Sequence, residues 1–320
     1  PMPLSMDRED LIEERAIAIT LSEDNYIRHL PVESFRVQNR GGKGLKGVAT
    51  KAEDTPQLII TCFSKDRLLI FTDQGRVYGL KAWETPLGSR HSRGGHIRNL
   101  LESLREDENI VTILPISREL LETPEGNYLL FATKLGLIKK TRLEEYVRIN
   151  RNGKYALRFK LDGDSLVNVR CGTDDSDIVM ISSTGFASRF ACQKIRSSGR
   201  VSAGVYGIKT GNRKGADGGH VVGMIATNNT ETQILTISKN GMAKRSRLGT
   251  ADKIPYLDAE GVQKVDKETG DLMERTDGYR KTNPGAKGAF TMNINKEDND
   301  EIIAARHIPG LDDNLFVLTK

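Results

Sequence analysis

An all-β, propeller-like ring of six four-stranded blades is the fold this sequence predicts. Three observations carry it: a hairpin signature that recurs along the chain, apolar runs that do not alternate, and a scarcity of helical periodicity. The signature stands in "AITLSEDNYIRHL" from Ala18, "LIFTDQGRVYGLK" from Leu69, "LLFATKLGLIKKT" from Leu129, "IVMISSTGFASRF" from Ile178 and "QILTISKNGMAKRS" from Gln233, with a start of another in "NLFVLTK" from Asn314. Each complete copy is an apolar run, a Ser or Thr, two residues, a Gly or Asn, and a second β-prone run. Asn25, Gly75, Gly136, Gly185 and Gly241 fall where a tight turn needs a positive φ, so the copies read as hairpins. The Ser/Thr anchors are Ser22, Thr72, Thr133, Ser182, Ser238 and Thr319, spaced by 50, 61, 49, 56 and 81 residues.

A further strand-like run precedes each later hairpin: "QLIITCF" at Gln57, "ENIVTIL" at Glu108, "DSLVNV" at Asp164, "GHVVGMI" at Gly219 and "DEIIAA" at Asp300. With a loop-borne segment after each hairpin, every unit reaches about four strands. Runs such as Leu68 to Phe71 and Tyr128 to Ala132 are apolar on both faces, as in stacked blades that cover one another. A short helix over Ile97 to Arg105 is the one helical expectation. The 81-residue step holds an insertion, 252–283, in which Val262 to Arg275 reads as a polar hairpin turning at Thr269 and Gly270. The whole of 1–320 reads as one domain, cut from a longer chain: it begins on Pro1, and the sixth unit stops at Lys320 before its turn.

Composition narrows the function classes. Hydrophobic residues make up 37%, mean hydropathy is −0.44, and no run approaches the ~20 apolar residues of a bilayer span, so a cytoplasmic protein is expected. Cys62, Cys171 and Cys192 lie far apart with no zinc spacing and read as core residues. No H-E-x-x-H, G-x-S-x-G or P-loop pattern is present, the five histidines are scattered, and Asp174, Asp175 and Asp177 lack the spacing of a calcium loop, so no catalytic, cofactor or metal site is expected. Forty-eight Lys and Arg against 43 Asp and Glu give a net charge of +5, which permits a polyanionic partner without requiring one.

Distribution of the charge is more informative. Eighteen residues beyond Ser22, Thr133 and Ser182 stand Arg40, Arg151 and Arg200, and 21 beyond Thr72 stands Arg93; Pro284 holds the fifth place, with Lys287 close by. Around Arg40 to Lys46 three cations alternate with glycines, a composition that lets a phosphate approach backbone N–H groups. Such loops are also common as plain solvated turns. A second basic set follows the hairpin turns at constant offset: Arg28 with His29, Lys139 with Lys140, Arg189, and Lys244 with Arg245. That constancy predicts one shared rim, although edge strands also carry Lys to block aggregation.

The segment "VQNRGGKGLKGV" (Val37 to Val48) resembles the box Q-(R/K)-R-G-G-(R/K)-G of the C-terminal domain of DNA gyrase A. "LIFTDQGRVYGLKAWETPLGSRHSRGGHIRNLL", "FATKLGLIKKTRLEEY" and "NGMAKRSRL" look like successive blades of the same domain. Asn39 departs from the box, where a basic residue is usual. The resemblance implies a six-bladed β-pinwheel, in which strands are exchanged between neighbouring blades and double-stranded DNA bends around a basic rim. It implies a domain that is monomeric in isolation and non-catalytic, and that works with the rest of gyrase A and with gyrase B in an A2B2 assembly. The DNA-contacting residues it implies, taken with the spacing above, are Gln38, Arg40, Gly41, Gly42, Lys43, Gly44, Lys46, Arg28, Arg93, Lys139, Lys140, Arg151, Lys154, Arg189, Arg200, Lys244, Arg245 and Lys287. The C-terminal domain of topoisomerase IV shares the blade repeat without an intact box, and a protein-docking platform would need only the repeat; these are the competing readings.

Overall fold

The computed structural model describes residues 8–34, 55–89, 92–210, 219–294 and 300–308. Every predicted hairpin forms: Ala16–Ser22 with Tyr26–Pro31, Arg67–Thr72 with Arg76–Lys81, Asn127–Thr133 with Leu137–Arg142, Asp177–Ser182 with Phe186–Ala191, and Gln233–Ser238 with Ala243–Arg247. The anchor hydroxyl explains the signature. In each turn it accepts a hydrogen bond from the backbone N–H four residues on, that of Tyr26, Arg76, Leu137, Phe186 or Met242, at 3.1–3.3 Å. The residue three beyond the anchor closes the turn onto the anchor carbonyl, with φ between 63° at Asn25 and 95° at Gly136. Asn25 manages this because a short polar side chain tolerates the left-handed region better than other L residues.

Two further strands complete blades 1 to 4 and one is added to blade 5, all from later in the chain. Pro56–Phe63 pairs with Ala16–Ser22, Ile110–Ile116 with Arg67–Thr72, Leu166–Thr173 with Asn127–Thr133, Val221–Thr227 with Asp177–Ser182, and Ile302–Ile308 with Gln233–Ser238. The run before a hairpin therefore belongs to the preceding blade, not to the hairpin it precedes. On the other edge a two-residue strand arrives from beyond the next hairpin: Gly95–His96 on blade 1, Lys154–Tyr155 on blade 2, Val205–Tyr206 on blade 3 and Ala289–Phe290 on blade 4. This is strand exchange between neighbours. Blade 5 has three strands, so the described residues hold five blades and not six; the sixth anchor, Thr319, lies outside them.

Alternate residues of one strand serve different cores. Leu68 and Ile70 pack toward blade 1 while Leu69 and Phe71 pack toward blade 3; Leu130 and Ala132 face blade 4 while Leu129 and Phe131 face blade 2. The core is thus a series of layers between blades, and unbroken apolar runs follow from having a blade on each side. Phe71 and Phe131 meet edge-on across one such layer at 5.6 Å. Helix is sparse: Ile97–Asn99 makes a single 3-10 turn in place of the longer helix expected, because His96 caps it and Leu100 and Leu101 are drawn into the blade core. The α-helix among the described residues is Arg118–Glu122, capped by Ser117.

The third strands of successive blades, Pro56–Phe63, Ile110–Ile116, Leu166–Thr173, Val221–Thr227 and Ile302–Ile308, touch one another in turn. They converge on the axis, which puts the exchanged strands at the opposite, outer edge. In the fifth unit the polar insertion forms a ribbon, Lys253–Pro255 with Glu274–Thr276, extended by bridges between Leu257 and Gln263 and between Val265 and Leu272. The excursion ends before 283, since Tyr279 is buried in the core between blades 4 and 5 and Lys281 bridges to Arg189.

Candidate nucleic-acid interface

The residues predicted to contact phosphate separate into three groups. Gln38, Arg40, Gly41, Gly42, Lys43, Gly44 and Lys46 lie outside the described residues. The second group is the set that follows the hairpin turns, and here the structure corrects the expectation of a shared rim. Arg28, Lys139, Lys140 and Arg189 are buried, not rim-facing. Each sits on the second hairpin strand, and the exchanged strand with its lead-in loop covers that strand.

The polar ends of Arg189, Lys140 and Lys139 are used inside the molecule. Arg189 donates to Asp177 from Nε at 3.1 Å and from Nη2 at 2.5 Å, and from Nη1 to the carbonyls of Leu248, Gly249 and Tyr279 at 2.8–3.0 Å. Lys140 pairs with Asp174 and lies 4.0 Å over the Tyr128 ring. Lys139 donates to the Ala156 carbonyl at 2.6 Å and to the Arg200 carbonyl, and burial pulls its pKa down to about 7. His29 does likewise without charge: its Nδ1 lies 2.8 Å from the Thr85 carbonyl, and burial lowers its pKa. These side chains hold carbonyls of the crossover loops against the hairpins. Lys244 and Arg245 are exposed, because blade 5 has no exchanged strand covering them among the described residues.

The third group lies in the crossover loops. Arg93 and Arg151 are exposed, Arg93 paired with Asp24 at 2.5 Å and Arg151 with Glu84. Arg200 is half-buried; its backbone N–H donates to the Glu145 carboxylate at 2.7 Å and its guanidinium to the Glu145 carbonyl at 3.3 Å. Lys154 and Lys287 are exposed, the latter 4.3 Å over the Phe186 ring. Beside Arg151 an open cleft of about 460 Å³ is lined by Arg67, Lys81, Glu84, Glu102 and Asn150 among others. Arg93, Arg151 and Arg200, and Lys287 three residues beyond the aligned Pro284, all precede an exchanged strand, at the outer edge of the blade before their own hairpin.

Glycines in these loops have a packing reason beyond any ligand. A Cβ on Gly204 would meet the Ile138 carbonyl, and one on Gly288, at φ +89°, the Ala187 carbonyl. The loop can lie flat over the hairpin only without side chains there. Gly288→Ala is expected to cost about 1–3 kcal/mol in urea unfolding; a change under about 0.5 kcal/mol would show that the loop is not pressed onto the strand.

A signal the repeat spacing did not capture is the exclusion of acids. The crossover stretches 87–100, 147–160, 192–210 and 278–292 contain no Asp or Glu, in a chain that has 43 of them. They carry Arg90, Arg93 and Arg98; Arg148, Arg151, Lys154, Arg158 and Lys160; Lys194, Arg196, Arg200 and Lys209; and Arg280, Lys281 and Lys287. Since the rest of the chain is net acidic, positive charge concentrates in the crossover stretches at the outer edge of blades 1 to 4, where Asp24, Glu84 and Glu106 pair with Arg93, Arg151 and Arg98, and such a concentration favours a polyanion there. Among the described residues no cluster of His, Cys, Asp and Glu could hold a metal ion, and no helix is long and apolar enough to cross a membrane.

Comparison with known proteins agrees with the fold. The family model described as DNA gyrase C-terminal domain, beta-propeller, matches residues 17–55, 66–117, 127–172, 176–228 and 232–252. DNA gyrase A of Staphylococcus epidermidis is 37% identical over 316 residues, covering 98% of this chain and 31% of that protein. Its counterpart in Staphylococcus aureus is 37% identical over 314 residues, with the same two coverages. The chain therefore spans under a third of the length of these relatives. A solved structure of the DNA gyrase A C-terminal domain superposes with a TM-score of 0.60 at 19% identity, covering 92% of this chain and 99% of that one. The C-terminal domain of DNA topoisomerase IV superposes at 0.57 and 21% identity, covering 93% and 94%. At such identities these two likenesses speak for the fold alone.

Proposed function

Since the chain belongs to the DNA gyrase C-terminal domain family, we propose that it binds duplex DNA along the outer edges of its blades and bends it around the ring. The bent segment is handed to the rest of gyrase A, which with gyrase B in an A2B2 assembly couples ATP hydrolysis to strand passage and the introduction of negative supercoils. The observation that carries the reading is the acid-free belt of crossover loops, which a docking platform for proteins of mixed charge does not need. The topoisomerase IV reading is not favoured, because the matching family model and the relatives of 37% identity are those of gyrase.

Magnitudes are compatible. Four strands at ~4.8 Å spacing make a blade roughly 15 Å deep, so a ring with a small channel has a rim near ~140 Å, enough for about 40 base pairs. Bending that length through ~180° costs on the order of 10 kcal/mol. About eight to ten neutralised phosphates offset this through counterion release and give a slope of log K against log salt of roughly −7 to −9. Arg93 and Arg151 must leave Asp24 and Glu84 to reach phosphate; the exposed Arg93–Asp24 pair is weak enough to be exchanged, and Glu84 keeps the bond from the Lys81 N–H when Arg151 leaves. Phosphate contacts position DNA without reading it, so affinity should vary little with base sequence.

A filter-binding salt titration with a duplex of about 40 base pairs tests this. A slope shallower than about −3 would leave too few phosphate contacts to bend DNA. Within the same reading Arg40 and Lys43 clamp the end of the wrap. Arg40→Ala with Lys43→Ala is expected to abolish the writhe captured when nicked circles are religated, while the salt slope shallows only by roughly 1.8. Full writhe in that double variant would dismiss the box.

A further inference from the structure

The exchanged strands repeat a second feature besides charge. On blades 2, 3 and 4 the outermost strand presents an exposed aromatic, Tyr155, Tyr206 and Phe290, with 52%, 50% and 68% of its surface open to solvent. All three occupy one register position: they pair with Arg76, Leu137 and Phe186, each the first residue of the second hairpin strand. On blade 1 the same position is His96, opposite Tyr26, and His96 is half-buried and caps the turn that follows. Single exposed apolar residues are ordinary on a protein surface. Recurrence at one register position, on the strand farthest from the axis, exceeds what packing requires: half or more of each residue stays open to solvent, even though Phe290 also meets Phe186.

Charge decides what covers them. Each ring lies in an acid-free crossover stretch: Arg151 and Lys154 precede Tyr155, Arg200 precedes Tyr206, and Lys287 precedes Phe290. Lys287 lies 4.3 Å over Phe186, whose ring stacks on Phe290 at 4.3 Å, so cation and aromatic occupy one patch. The surface that offers anions and flat apolar faces alternately, at spacings of a few ångströms, is the backbone of a nucleic-acid duplex, in which deoxyribose rings separate the phosphates.

We propose that Tyr155, Tyr206 and Phe290 pack on the deoxyribose faces lining the minor groove of the bound duplex, giving the rim a salt-insensitive apolar contact between its phosphate contacts. This rests on the DNA-binding reading above and adds residues to it. Proteins that bend DNA through its minor groove commonly place apolar side chains there. Counterion release does not involve these rings, so they enter the affinity that survives high salt and leave the salt slope unchanged.

The test is fluorescence anisotropy on a labelled duplex of about 40 base pairs, with the whole chain, over a salt series extrapolated to about 1 M. Tyr155→Ser, Tyr206→Ser and Phe290→Ser combined is expected to weaken the extrapolated affinity at least about tenfold with the slope preserved. Tyr155→Phe with Tyr206→Phe, which keeps the rings, is expected to bind as the unaltered chain does. An intercept within about twofold of the unaltered chain overturns the proposal, and so does a shallower slope, which would mean that the serines had displaced the cations. If the unaltered chain itself shows no salt-dependent binding, the DNA-binding reading falls and this one with it, an outcome distinct from an intact slope with an unmoved intercept.

Discussion

Arg189→Ala is expected to lower folding stability by about 3–5 kcal/mol, the range for removing one partner of a buried ion pair. The side chain has no solvent exposure. Its loss leaves Asp177 with Lys281 at 3.3 Å as its other cation, and strips a donor from the carbonyls of Leu248, Gly249 and Tyr279. Those carbonyls are the two roots of the polar insertion, so the guanidinium ties the fifth unit to blade 4. Urea unfolding measures the loss, with proteolysis between 250 and 278 as a local check. Arg189→Lys should recover only part, since one ammonium cannot reach both the carboxylate and three carbonyls. DNA binding at a temperature where the variant stays folded should keep the salt slope of the unaltered chain. A slope shallower by about 0.9 with stability intact would restore Arg189 as a phosphate contact.

Arg189 also shows where sequence reading stops. Hairpins are legible because their determinants are local: an anchor hydroxyl, a residue tolerant of positive φ, and apolar runs without alternation. Exchange of strands is not legible from spacing, because pairing partners are chosen by how blades stack. The run at Gln57 looks like the lead-in to the hairpin at Leu69, yet Pro56–Phe63 pairs back onto Ala16–Ser22. On the other edge the exchanged strand pairs with the second hairpin strand, and it is this strand that buries Arg28, Lys139, Lys140 and Arg189. A second hairpin strand is exposed if it is the last in its blade and buried if another strand lies outside it. Lys244 and Arg245, on the blade with three strands, are the exposed case. The resemblance to a pinwheel carries the exchange as an implication, but the constant offset after the turns takes no account of it. What sequence offers and spacing overlooks is a negative signal, four loops from which acids are missing.

Lys139→Met is expected to flatten the pH dependence of stability. Lys139 lies beneath the crossover loops of blades 2 and 3, 5.0 Å over the Phe131 ring, donating to the carbonyls of Ala156 and Arg200. A neutral amine has two hydrogens, enough for both. Burial is the main cause that brings its pKa down to about 7; Glu145 opposes this, and Arg200 adds to it. An unfolded lysine titrates near ~10.4. Between pH 7 and about 10 the unfolded chain therefore binds a proton that the folded chain lacks, and stability rises with pH by up to about 1.4 kcal/mol per unit from this group. Below about pH 7 both states are protonated and the folded state bears the full cost of a buried ammonium. Urea unfolding at about pH 6, 7, 8 and 9 should show the unaltered chain gaining on Lys139→Met across the upper three points. Parallel profiles would mean that Lys139 stays charged inside the fold, and would return a cation to the region beneath the outer belt.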